Sequence, residues 1–141
     1  MKPAVLLFAA ALLSGCATGH LYPVDGPLAA QRPAPIYRIG MDYGDRITAK
    51  LGKGESCEGS WLVIVPEDPT SRDMAAEWDL VYGKGYFLAN VQGKAGIAHA
   101  TLTCPKATDA PKEKPMTVNA EFDSKKGVAK DSNGNVFKLT F

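Results

Sequence analysis

Three cysteines, two histidines and a few paired carboxylates are the side chains of this 141-residue chain from which chemistry could be built. Cys57 and Cys104 form an even pair, the usage of an oxidising compartment, and predict a disulfide. Closing a loop of that span contributes ~4 kcal/mol in the chain-entropy account. His99 is the histidine of the globular part, and strand register places it outward beside Thr101 and Thr103. A catalytic imidazole needs an orienting carboxylate, which no spacing in the chain assigns. His20 and His99 are too few for a metal centre, so neither metal nor cofactor is expected. Glu55 and Glu58 flank Cys57, and Glu121 and Asp123 share an outward face. Such acid pairs could serve glycoside hydrolysis, but on exposed strands they more often protect sheet edges. With no Gly-x-Ser-x-Gly elbow either, no catalytic residue is expected.

The third cysteine, Cys16, has a different setting. Lys2 supplies a positive start, and Ala4 to Leu13 follow without a polar side chain. That run is far short of the ~20 residues of a spanning helix and reads as a secretory signal. Its ending, Leu12-Leu13-Ser14-Gly15-Cys16, resembles the lipobox of bacterial lipoproteins. The resemblance implies cleavage before Cys16, a diacylglycerol on its thiol and acylation of its new amino group. Membrane attachment would then run through the N-terminal lipid, and more than one chain is needed for durable anchoring. Ala17, where an aspartate would imply inner-membrane retention, implies the periplasmic face of the outer membrane. The segments "LYPVDGPLA", "GESCEGSW" and "GVAKDSNGNVFKLTF" extend the likeness to a group of small bacterial lipoproteins. That group has no assigned activity and implies no catalytic residue.

Three regions are expected: a signal peptide at 1–15, lipidated Cys16 with a proline-rich tether over 16–35, and a globular β domain at 36–141. Losing 1–15 removes Lys2 and no acid, so 16 basic against 15 acidic side chains become 15 against 15. A neutral body argues against nucleic acid as a partner and against electrostatic adhesion to anionic lipid.

The elements that must position these residues show mostly a two-residue period. Ile47, Ala49 and Leu51 share a face; so do Cys57, Gly59, Trp61 and Val63, and again Ala98, Ala100, Leu102 and Cys104. Phe87, Ala89 and Val91 predict another strand, as do Met116, Val118, Ala120 and Phe122. A last pair of strands, Gly127–Asp131 and Asn135–Phe141, is joined by Ser132-Asn133-Gly134, which suits a three-residue hairpin loop. Between Asp68 and Tyr82, Met74, Trp78 and Val81 fall at helical spacing, with Asp68 as a cap and Pro69 at the first helical position. A strand over 77–82 is the rival. Pro105–Pro115 is a polar loop.

The fold expected is all-β, a single small antiparallel barrel or sandwich of about seven strands with one short helix. The function expected is a lipid-anchored, non-enzymatic envelope accessory or binding module, with an envelope protein as a possible partner. The alternatives are an inhibitor of lysozyme-type hydrolases, on a loose likeness in "YGKGYFLANV", and an envelope glycan-acting enzyme.

Overall fold

Alternation gives each strand an apolar face, and eight such faces are turned inward on one another. The computed structural model describes residues 17–42, 44–51, 55–64, 74–105 and 115–141. The expected signal peptide over 1–15, Cys16, the expected Asp68–Pro69 cap and residues 106–114 of the expected loop lie outside the described residues. The strands are β1 (Ala17–Asp25), β2 (Tyr37–Met41), β3 (Arg46–Leu51), β4 (Glu55–Val63), β5 (Ala98–Cys104), β6 (Met116–Phe122), β7 (Lys126–Asp131) and β8 (Val136–Thr140). Each pairs antiparallel with the next, and β8 returns to β1, so the sheet closes as a barrel in chain order. Closure removes the unpaired edges that invite aggregation.

The tether expected over 16–35 is corrected, because residues 17–25 are a barrel strand. Its glycine and prolines fit the ladder for local reasons. A Cβ on Gly19 would lie 2.7 Å from the Thr140 carbonyl and 2.8 Å from the Phe141 ring, so only glycine allows that approach. Pro23 lies past the last β1–β2 pair, Leu21 with Tyr37, and faces Phe137 of β8 just before a register shift. A proline without an N–H is tolerated where only one neighbour must be satisfied. The segment after β1 is tied back as well: the Leu28 N–H donates to Asn135 Oδ1 at 2.9 Å.

The barrel interior is packed with side chains, as expected for eight strands. One layer runs Trp61, Ala100, Ala120, Ala129 and Phe137 through successive strand pairs. Three alanines set between two large rings leave the volume those rings need. Apolar side chains inside and charged ones outside is the arrangement of a barrel in water, the reverse of one in lipid. Among the described residues no helix is long and apolar enough to cross a membrane. Cys57 and Cys104 are joined as a disulfide between the neighbouring strands β4 and β5, with Cα atoms 4.1 Å apart. Val63, expected inward with Trp61, is 55% exposed at the end of β4.

Between β4 and β5 lie α1 (Ala75–Tyr82) and α2 (Tyr86–Asn90). The helix over Met74, Trp78 and Val81 is therefore observed, shorter than the pattern suggested, and the rival strand is not. The strand expected over 86–92 is corrected to α2. Asp79 decides this, accepting from the N–H groups of Gly85 at 3.1 Å and Phe87 at 2.8 Å. Those bonds fix the first turn of α2 and hold the Asp79 carboxyl below its ordinary range, Phe87 contributing most. Phe87 and Val91, four residues apart, then enter a second core with Met74, Trp78, Ile97 and Val128. It lies outside the barrel, between the helices and the wall.

Gly59 is the most constrained position of the wall, since a Cβ there would stand 1.8 Å from the backbone oxygen of Thr101. Gly59→Ala must therefore push β4 from β5 beside the disulfide. We expect a loss of at least about 1–3 kcal/mol in urea unfolding, the cost of overpacking a rigid site.

Candidate functional site

The outer faces of β5, β6 and β7 carry His99, Glu121 and Val128 side by side, since His99 pairs with Glu121 and Glu121 with Val128. On a bare barrel all three would meet water. The helix α1 lies over them instead, and Glu121 has no exposed surface. Burying a carboxylate is costly unless its oxygens are engaged. The Trp78 indole N–H donates to Glu121 Oε1 at 2.9 Å. His99 Nδ1 lies 3.5 Å from Glu121 Oε2, longer than a formed hydrogen bond. The carboxylate beside His99, which no spacing could assign, is thus Glu121, directly across the ladder and close without being hydrogen-bonded to it.

A polar cleft of about 400 Å³ opens beside this pair. Glu77 of α1 and His99, Thr117, Asn119, Lys130 and Ser132 of the barrel side line it. Glu77 is only 7% exposed, and its Oε1 holds Lys130 Nζ at 3.0 Å. Its Oε2 is buried without a hydrogen-bond partner. Thr101 Oγ1 donates to Asn119 Oδ1 at 3.0 Å, and the Thr117 N–H to Ser132 Oγ at 3.1 Å. The site therefore has hydroxyls and an amide on one wall, and a buried carboxylate with an open acceptor on the other.

Of the acid pairs weighed from sequence, Glu121 and Asp123 spend their carboxylates on different partners. Glu58 makes an exposed ion pair with Arg46 at 2.9 Å. Asp123 accepts from the N–H groups of Lys125 at 2.7 Å and Lys126 at 2.8 Å, closing the β6–β7 turn. Glu121, read as outward and exposed, is outward and covered. The side chain of Glu55 lies outside the described residues. Asp131, at the start of the 132–134 turn, spends its carboxylate on the N–H groups of Asn133 and Asn135 and on Asn135 Nδ2. Among the described residues no three His, Cys, Asp or Glu side chains are grouped to hold a metal. Glu77 and Lys130 were not singled out from sequence. Their signal was present: Glu77 is three residues after Met74, on the stripe that faces the barrel, and Lys130 follows Val128 by one strand period.

A ladder of rings completes α1. Trp78 and Tyr86 stack at 5.9 Å, Tyr82 and Tyr86 at 4.8 Å, and Lys126 Nζ lies 5.1 and 5.0 Å from the two tyrosine rings. The Gly-Tyr part of "YGKGYFLANV" is therefore an α1–α2 elbow with its tyrosine used in packing. The Tyr82 hydroxyl donates to the Gly127 carbonyl at 2.9 Å. Burial, with the negative charge that Tyr86 and Asp123 can carry, pushes its pKa up to about 12.

Two outcomes follow from this seam. Trp78→Phe keeps the ring and removes the donor to Glu121, and should cost on the order of 1–3 kcal/mol in urea unfolding. The cost should shrink in a Glu121→Leu background, where no buried oxygen is stranded. Tyr82 has a raised pKa in the folded state, so its stabilisation is complete below pH 10 and is lost as pH rises from about 10 through 12. Ultraviolet titration of phenolate should show a late tyrosine near pH 12 that is absent from Tyr82→Phe.

No family model, curated protein or solved structure matches this chain, so the site is argued from its geometry alone.

Proposed function

We propose that the protein is a lipid-anchored envelope protein, acylated on Cys16 and held at the periplasmic face of the outer membrane, whose barrel is a non-enzymatic binding module. The cleft beside α1 is its recognition site. The observation that carries the binding role is Glu77: a carboxylate buried between helix and barrel, with one oxygen held by Lys130 and the other open. A buried acceptor left open is costly in the free protein and is satisfied when a ligand donates to it. The anchor is supported by the short apolar run ending in Leu-Ser-Gly-Cys. The disulfide suits an oxidising compartment, and the closed, apolar-cored barrel suits an aqueous one.

A second reading, an enzyme acting on envelope glycans, is favoured by one observation. The His99–Glu121 pair at the mouth of the cleft has the relation of a general base to its orienting acid. Release of reducing ends from cell-wall glycan, abolished by His99→Ala, would establish it in place of the binding role.

The anchor is tested in the native host with labelled palmitate. Label should enter the wild-type chain and be absent from Cys16→Ala. An unlabelled wild-type protein, or one released at full size into culture fluid, would overturn the anchored reading.

A further inference from the structure

The charges of the cleft restrict what it can take. Its negative groups are already engaged: Lys130 Nζ stands 3.0 Å from Glu77 Oε1, and Asp131 accepts from the N–H groups of Asn133 and Asn135 and from Asn135 Nδ2. What remains open is the buried Glu77 Oε2, which accepts and cannot donate while ionised. An anionic ligand would meet Glu77 and Asp131, both lining the cleft. An ammonium ligand would bring a second cation beside Lys130, against a carboxylate that Lys130 already neutralises. A neutral donor suffers neither penalty. The opposite wall, Thr117, Asn119 and Ser132, offers uncharged hydroxyl and amide groups to the same ligand.

We infer that the cleft between α1 and the outer face of β5–β7 binds a neutral, hydroxyl-rich ligand, a saccharide unit, one of whose hydroxyl or amide protons is donated to Glu77 Oε2. A volume of about 400 Å³ is at the small end of ligand sites and accommodates a short saccharide. Asn119 lies across from Glu77 as the second polar anchor, and His99 bounds the mouth. This rests on the reading of the barrel as a binding module and specifies its ligand class. It is independent of the anchor, because palmitate labelling at Cys16 can fail or succeed without touching the cleft.

The test is an amide chemical-shift titration of the full-length mature chain with diacetylchitobiose, lactose and maltose, and separately with butylammonium. At least one saccharide should produce saturable shifts concentrated at His99, Thr117, Asn119 and Lys130. Glu77→Gln should weaken that binding about tenfold or more. Asn119→Ala, an exposed position whose loss leaves the cores intact, should weaken it several-fold and stands as the control if Glu77→Gln unfolds. Absence of cleft shifts with all three saccharides would overturn the proposal, as would equal affinity in folded variants. Shifts with butylammonium alone would keep a binding cleft and overturn the saccharide class.

Discussion

The wall formed by β5, β6 and β7 is buried on both sides where Val128 and Glu121 face outward, and this constraint organises the rest of the molecule. Its inner residues, Leu102, Ala120 and Ala129 among them, belong to the barrel core, while Val128 on its outer side belongs to the second core under α1 and α2. Val128 and Ala129 are neighbours pointing in opposite directions, and both are fully buried. Where both faces of a strand are covered, the alternation of apolar and polar residues breaks down, as it does over Gly127, Val128 and Ala129. The helices are therefore a lid over a surface that could not be left in water. Their placement determines where the wall becomes polar again, and the cleft opens at that boundary.

Glu121 shows how this boundary acquires chemistry. A carboxylate at the margin of a covered surface is desolvated by the same helix that buries Val128, and it is tolerated because that helix supplies the Trp78 N–H. The Glu77–Lys130 contact repeats the arrangement from the adjacent helix residue, with the carboxylate now on the helix and its partner on the wall. Lys130 is half exposed and Glu77 buried, so removing Lys130 would strand the carboxylate, whereas removing Glu77 would return the ammonium to water. Helix docking and cleft electrostatics are consequently one feature. A ligand that engages Glu77 acts directly on the contact that seats α1.

Much of this fold was legible in the chain because strand alternation depends on nearest neighbours alone. The inward sets at Ile47 and Ala49, at Ala98 through Cys104 and at Val118 through Phe122 are where the alternation put them. The disulfide joins the cysteines that shared those faces. The Ser132-Asn133-Gly134 turn has its left-handed glycine, with φ 86° at Gly134. Where reading failed, the deciding contact was distant in sequence. Phe87, Ala89 and Val91 alternate as a strand would, yet a carboxylate six to eight residues upstream caps them into a helix. Glu121 is indistinguishable from a surface acid until Trp78, 43 residues away, is laid over it. The site shares this limit, because its members come from α1 and three strands whose adjacency is a property of closure.

The strand β1 carries the same lesson to the N-terminus. Gly19, Pro23 and Gly26 have the composition of a linker, and each is required by a particular close approach or unpaired position in the ladder. Without β1, strands β2 and β8 would present two open edges, so a body beginning at residue 36 would be an unclosed sheet. The consequence reaches the anchor. A lipid on Cys16 would be separated from the barrel wall by a single peptide bond, with no spacer to absorb motion. Attachment and folding would then be mechanically coupled, since pulling on the lipid loads first the β1–β2 ladder at Ala17 to Gly19 and then, from His20, the β1–β8 ladder that closes the barrel.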